Sequence, residues 1–495
     1  MKTLVVYSRS STQRPRSVAA SLAQWLIEHG HEVTVLDVSD FSYANQDLPP
    51  RWFARLLGHE IYPGAFLSAL DTMGVHYRAL SYTGASQRDL PKNVRSELTD
   101  AIFSDLVTYF RSDVIDIHKG HARHVSRTMA LKATELYFTL RDFLKHKNFD
   151  QVYIPNGRVP EQRMAIEACH SERVAIRYYE IGRARPHSFY AGKTQVHDRD
   201  GTQAEVSDVL ASTSTEEIEA LATQWLEERT SIGSVLNVYS AGWEEPTTTS
   251  DGDGSRAVFF SSSVDEFASY GVAWKIDHWE SQYEAFDAIM TVLESKGVSC
   301  TLRVHPNLTN KSPRFFRREV EDISILAKRH PALRVLWHND PVNSYQLVRE
   351  SDYVIVGRST LGLESSLMGK CVWVTTATRY DAIADIRHAL SKDEVTMENL
   401  SLWEVDPFGA QRFTAYWAIQ DHPLCWGEDS WSTWDSFRAP PSLRVGQLLI
   451  RNPLRHKVHM IGIELARRSN ERFPGISTPL EPPTSSSFEG KVFHD

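Results

Sequence analysis

The chain has 495 residues, 41% of them hydrophobic and 24% charged, and a net charge of −9. That length exceeds what one hydrophobic core fills and suits two domains with extensions, while the acidic balance argues against nucleic acid as the main partner. No apolar run reaches the ~18 residues that span a bilayer, and Cys169, Cys300, Cys371 and Cys425 lack metal-ligand spacing, so they are expected as free thiols in a reducing cytoplasm.

In chain order, the opening Met1–Tyr7 turns polar too soon for a signal peptide and reads as a strand at Leu4–Tyr7. A polar, basic loop follows (Ser8–Arg16), then helical spacing over Ser17–His29 ended by Gly30, then a second strand at Glu32–Leu36. Strand, helix, strand at this spacing is a βαβ unit and predicts a parallel sheet. Residues 95–147 read as mostly helical, Phe149–Pro155 as a buried strand with a turn at Asn156-Gly157, Val174–Glu180 as the next strand, and Thr215–Thr230 as a polar-faced helix. Residues 243–256, WEEPTTTSDGDGSR, have no apolar periodicity and mark a linker.

A second βα series starts after it. Its expected strands are Ala257–Phe260, Ser299–Val304, Leu333–Trp337, Tyr353–Val356 and Cys371–Thr375. Its expected helices are Glu280–Lys296, Ser312–Arg329, Ser344–Glu350 and Thr360–Met368, with Ser312 as N-cap and Pro313 in the first helical position. The resulting division is an N-terminal Rossmann-like domain (1–245), a linker (246–256), a C-terminal Rossmann-like domain (257–400), a helical extension (401–473) and a disordered tail (474–495) rich in Pro, Ser and Thr. Two such domains fit a GT-B architecture, in which the active site is the cleft between them.

In open α/β sheets ligands bind beyond the carboxyl ends of the strands, and five segments there carry candidate chemistry. Arg303-Val304-His305-Pro306-Asn307 ends the second strand of the later series; Arg303 and His305 suit a phosphate, or His305 caps its own loop. Gly357-Arg358-Ser359-Thr360 opens a helix whose N–H groups and hydroxyls suit a phosphate, with Glu364 one turn on for ribose hydroxyls; the alternative is ordinary capping. Ser261, Ser262 and Ser263, with Asp265 and Glu266 behind them, line the same edge or form a Ser-rich turn. In the N-terminal half, Asn156 and Arg158 flank a strong turn glycine, and Glu180 ends the next strand as a general base or as a plain surface carboxylate.

These segments together resemble the GT-B glycosyltransferases of bacterial capsule and O-antigen biosynthesis, a group related to the Kdo transferases and the bacterial sialyl- and polysialyltransferases. His305-Pro306 matches the family's His-Pro motif, which contacts donor nucleotide and phosphate, and Ser359-Thr360 matches its phosphate-binding hydroxyl pair. Tyr179-Glu180-Ile181-Gly182 keeps one acid and the glycine of the acid-acid-Gly motif, with Ile181 where the second acid stands. The run SYQLVRESDYVIVGRSTLGLESSLMGK, the phrase FFSSSVDEF and the Asn-Gly-Arg turn fit the same group, and the resemblance covers residues 150–420.

The resemblance implies transfer of a sugar from a CMP-, UDP- or GDP-linked donor to a surface-polysaccharide or glycolipid acceptor. The nucleotide sugar enters as a substrate, and neither metal nor cofactor is expected. The donor would lie against Arg303, His305, Pro306, Arg358, Ser359, Thr360, Glu364 and Ser261–Ser263, and the acceptor against Asn156, Arg158, His118 and His121, with Glu180 taking its proton. Rival readings are a sugar-nucleotide 2-epimerase or a glycerophosphotransferase of the same fold, or a non-catalytic partner in polysaccharide assembly.

Three features read as decoys. Asp198-Arg199-Asp200 has the Asp-x-Asp form of a metal motif but sits in a polar stretch and reads as a solvated turn. His118, His121 and His124 step by three, where zinc helices step by four. The basic, apolar stretch 447–473 is either a helix for peripheral contact with the inner face of a membrane or a packed C-terminal helix.

Overall fold

The computed structural model describes residues 1–8, 14–43, 64–84, 88–110, 115–118, 120–231, 254–263, 277–311 and 313–426, with single positions 234, 237 and 274. The expected N-cap Ser312, Asp265 and Glu266, linker residues 246–253, the basic stretch 447–473 and the tail 474–495 all lie outside these residues. The described chain divides into two compact units: residues 1–198 with 420–426, and residues 199–419.

The first unit runs β1 (Lys2–Tyr7), α1 (Arg14–Glu28), β2 (Glu32–Asp37), α2 (Gly64–Thr72), β3 (His76–Ala79), α3 (Lys92–Phe110), α4 (Gly120–His146), β4 (Gln151–Pro155), α5 (Pro160–Glu172), β5 (Ala175–Ile181) and β6 (Ser188–Gly192). Five strands are parallel in the order β3-β2-β1-β4-β5; β6 runs antiparallel beside β5. The apolar run of β1 is buried on both faces, as a central parallel strand requires. Its alternation sorts two cores: Leu4 and Val6 face the Leu98–Leu140 layer of α3 and α4, while Val5 and Tyr7 face Ala19–Leu26 of α1 and Phe66 of α2.

The second unit begins with α6 (Arg199–Val209) and α7 (Thr215–Thr230). It continues through β7 (Arg256–Phe260), α8 (Gln282–Ser295), β8 (Ser299–Arg303), α9 (Pro313–Arg329), β9 (Arg334–Leu336), α10 (Ser344–Arg349), β10 (Tyr353–Val356), α11 (Leu361–Leu367), β11 (Cys371–Val374), β12 (Arg387–His388) and α12 (Phe408–Gln420). All six strands are parallel, in the order β12-β11-β10-β7-β8-β9. Phe259, Leu302, Trp337, Ile355 and Trp373 form its core with Phe286 and Ile289 of α8 and Ile323 of α9. In both sheets the strand order reverses beside the first strand, which is the Rossmann switch point: between β1 and β4, and between β7 and β10.

The expected division changes in two places. Helices α6 and α7, placed by sequence in an N-terminal domain ending at 245, pack in the second unit: Arg199 Nε lies 3.0 Å from Asp381 Oδ1, and the Trp225 and Trp417 rings are 5.9 Å apart. At Asp198-Arg199-Asp200 both acids are exposed, as expected, but the segment opens α6 where a turn was expected, with Arg199 on a fully buried carboxylate. The expected extension from 401 also divides. Its helix α12 stays with the second unit, and Asp421–Pro423 (β13) then pairs antiparallel with β6, at the edge of the first sheet. Cys169, Cys300 and Cys371 are buried and Cys425 is exposed, all as thiols. No described helix is long and apolar enough to cross a membrane.

Candidate functional site

The carboxyl ends of β7, β8 and β10 form the rim of the second unit, and its serines and histidine are mutually fixed. Ser261 Oγ accepts the His305 backbone N–H at 2.9 Å, and Ser263 Oγ lies 3.4 Å from His305 Nδ1. That same Nδ1 accepts the Asn307 N–H at 3.1 Å, where His305 caps the short 3₁₀ turn opened by Pro306. A nitrogen that accepts carries no proton, so the proton of the neutral ring belongs on Nε2, as a donor.

Ser262 occupies the switch point itself. Gln282, the first residue of α8, clamps its backbone at two points: Ser262 N–H donates to Gln282 Oε1 (2.8 Å), and Gln282 Nε2 donates to Ser262 O (3.2 Å). The Ser262 hydroxyl is buried with no partner among the described residues. Across the switch point, a Cβ at Gly357 would stand 2.7 Å from that hydroxyl, so only glycine leaves it room.

Other expected donor ligands are committed elsewhere. Arg303 is buried, and its guanidinium donates to the carbonyls of Trp337 and Asp340; burial pushes it down to about 10. It braces the loop after β9 and is closed to a ligand in this conformation. Glu364 is likewise buried, because α7 delivers Arg229 onto it: Arg229 Nε pairs with Glu364 and Nη2 donates to Thr360 Oγ1 at 3.1 Å. Arg358 donates to Thr376 Oγ1 (3.0 Å) and to the Trp274 carbonyl, 3.9 Å from Asp277. Ser359 Oγ accepts the Leu361 N–H at 3.2 Å, and Tyr380 OH donates to the Ser359 carbonyl at 2.6 Å.

The first unit has its own rim. Beyond β4 the chain turns through Asn156 (φ 49) and Gly157 (φ 89), two successive left-handed residues. Asn156 Nδ2 donates to Glu180 Oε1 at 3.0 Å, and Arg183 Nη2 lies 3.4 Å from Glu180 Oε2. Glu180 is thus held by an amide and a guanidinium. Asn156 Oδ1 is buried and unpartnered among the described residues. Arg158 Nη1 donates to Ser104 Oγ (3.1 Å) and Thr108 Oγ1 (3.0 Å) on α3. His118 is exposed beside Asp116, while His121 packs against the Tyr109 and Phe110 rings. The structure does not gather His118 and His121 with Asn156 through any contact among the described residues.

Sequence reasoning missed Gln282, Arg229 and two acids, the buried Glu161 and the half-buried Asp105. Arg229 and Glu364 are 135 positions apart and Gln282 and Ser262 twenty, so no local pattern announces them. Glu161, in the first turn of α5, is buried and takes the Ser8 hydroxyl at 3.2 Å; burial raises its carboxyl, and Ser42, Ser8 and Lys132 oppose that rise.

No family model and no curated protein matches the chain. Among solved structures it is similar to the KpsC β-Kdo 2,4-transferase of Thermosulfurimonas dismutans, with 14% identity, 54% of this chain and 79% of that one covered, and a TM-score of 0.34. It is similar to the UDP-GlcNAc 2-epimerase of Neisseria meningitidis, with 10% identity, 84% and 97% coverage, and a TM-score of 0.31. It is similar also to the glycotransferase of kitacinnamycin, with 12% identity, 91% and 98% coverage, and a TM-score of 0.28. No residue role here comes from these weak overlaps. By its own strand orders the chain is an α/β protein of two Rossmann-like units, the construction of the GT-B glycosyltransferases and of the 2-epimerases that share their fold.

Proposed function

We propose that the chain is a glycosyltransferase of the GT-B type, moving a sugar from a CMP-, UDP- or GDP-linked donor to a surface-polysaccharide or glycolipid acceptor. The observation that carries this reading is the Ser262 hydroxyl, buried and unpartnered against Gly357 at the switch point of the second sheet. A buried hydroxyl without a partner costs about 1–3 kcal/mol, which a bound phosphate oxygen recovers. His305, whose Nδ1 accepts the Asn307 N–H, would supply a second donor through Nε2. As the bond to the sugar breaks, these donors stabilise the charge that develops on the leaving phosphate, with no metal in that role.

The test is a thermal-shift panel with CMP, CDP, UDP, GDP and ADP, since a ligand of the native state raises its melting temperature by mass action. One nucleotide is expected to raise it, and Ser262→Ala and His305→Ala to abolish the rise. A folded protein that responds to none of the five contradicts the reading. Interconversion of a free nucleotide sugar with no acceptor present would replace it with the 2-epimerase.

A further inference from the structure

The strand ladder of the second sheet stops just before Ser262. β7 pairs with β8 and β10 as far as Phe260, and Ser261 still donates its N–H to the Arg303 carbonyl at 3.1 Å. Ser262 is buried beyond that point, where its peptide groups still need partners. Both go to one side chain: its N–H donates to Gln282 Oε1 at 2.8 Å, and its carbonyl accepts from Gln282 Nε2 at 3.2 Å. The amide does for Ser262 what a neighbouring strand does for Phe260. Only a primary amide can do this from a single position, because it presents a donor and an acceptor side by side. A carboxylate would set an oxygen against the Ser262 carbonyl, and an apolar side chain would leave both groups unmet.

The amide is itself held. Gln282 is the first residue of α8, whose start is set by the Ser281 hydroxyl taking the Glu284 N–H at 3.1 Å. Its neighbour Tyr283 is buried and donates to Glu319 Oε2 of α9 at 2.7 Å. Burial, with Glu319 beside it, pushes that phenol well above its usual value, so it stays a donor. One turn on, the Phe286 ring packs against Phe259 of β7, with centroids 5.3 Å apart. Cap, phenol and ring contact hold the first turn of α8, and Gln282 meets Ser262 from that base. With both of its own peptide groups fixed, Ser262 keeps one freedom, rotation about its Cα–Cβ bond.

We propose that Gln282 is a positioning residue: by clamping the Ser262 backbone, it sets the Ser262 hydroxyl where the donor phosphate binds. The identity of that phosphate rests on the transferase reading above. Gln282 spends its amide on Ser262 and acts on the ligand only through that residue. Its influence on binding should therefore vanish once the Ser262 hydroxyl is removed, which a merely structural role would not predict.

The experiment is a double-mutant cycle by calorimetry on the full chain, with the five nucleotides and with inorganic pyrophosphate as ligands. The variants are Gln282→Met, Gln282→Asn, Ser262→Ala and each Gln282 change combined with Ser262→Ala. Gln282→Asn keeps the amide and a sound helix start and loses only the reach, so it stays informative if Gln282→Met folds poorly. Each single variant is expected to weaken binding by about tenfold, the order of one lost hydrogen bond. The double variants should bind no more weakly than the weaker single, whereas independent effects would multiply to about a hundredfold. Losses that multiply, wild-type affinity in both Gln282 variants, or a lowered melting temperature with affinity unchanged overturns the proposal. A coupled loss seen with pyrophosphate, in a protein that binds none of the nucleotides, keeps the role of Gln282 and removes the transferase reading. A wild-type protein that binds neither overturns both.

Discussion

Gly357 and Ser262 show how much one side chain decides at a switch point. The Ser262 hydroxyl has no polar partner among the described residues, and it keeps its place because Gly357 carries no Cβ to press on it. Gly357→Ala presses a methyl group against that hydroxyl. Its backbone lies outside the left-handed region, so the fold should tolerate the change. Nucleotide affinity is expected to fall by at least about tenfold, measured by calorimetry, with a melting temperature of the free protein within a few degrees of wild type. An alanine variant that binds as well as wild type would show that the nucleotide does not use this hydroxyl. The hydroxyls and His305 were legible because they follow apolar strands directly. Gln282 was not, because it lies twenty positions beyond Ser262 with no local pattern linking the two.

At the scale of elements, α7 and α11 are joined by one buried ion pair. Arg229 leaves the last turn of α7 with its guanidinium beside the Trp225 ring (5.5 Å) and reaches both Glu364 and Thr360 of the hydroxyl turn. Removing one partner of such a pair leaves a buried charge alone, which costs about 3–5 kcal/mol, whereas removing both costs far less. Arg229→Met and Glu364→Gln are each expected to destabilise the chain by that order in urea unfolding, and the double variant by less than the sum of the two. Additive losses would mean the pair is not coupled.

The strands themselves were legible wherever they lie inside a parallel sheet, since burial on both faces makes a continuous apolar run such as Tyr353-Val354-Ile355-Val356. The edges were not. β6, Ser188–Gly192, is only five residues between polar stretches, and β13 is Asp421-His422-Pro423, whose strand character comes from its partner and from nothing in its own composition.

For the whole molecule, one architecture is used twice, and the residues at its two switch points differ. The second unit has the Ser262 hydroxyl and His305 there; the first has Ser8 bonded to Glu161, in the first turn of α5. The division into two Rossmann-like units was readable from the repeated βα rhythm and the Thr/Gly-rich break between its two series. The assignment of 199–230 was not, because α6 and α7 are amphipathic helices whose apolar sides fit either unit. Their place is decided by contacts with residues nearly two hundred positions later, Asp381 and Trp417.

The return of the chain to the first sheet has a consequence in time. Asp421 Oδ2 takes the N–H groups of Arg183 (2.6 Å) and Ala184 (2.6 Å) and the Ser188 hydroxyl (3.0 Å), and β13 covers the outer edge of β6. A ribosome delivers the amino end first, so β6 emerges and waits with one bare edge while all of 199–419 is still being made. An unpaired edge of this kind recruits other chains. Residues 1–198 produced alone should therefore aggregate, and a separate peptide spanning 420–426 should restore part of the soluble fraction in sedimentation. If 1–198 stays monomeric by itself, the last strand is an ornament on a sheet already complete.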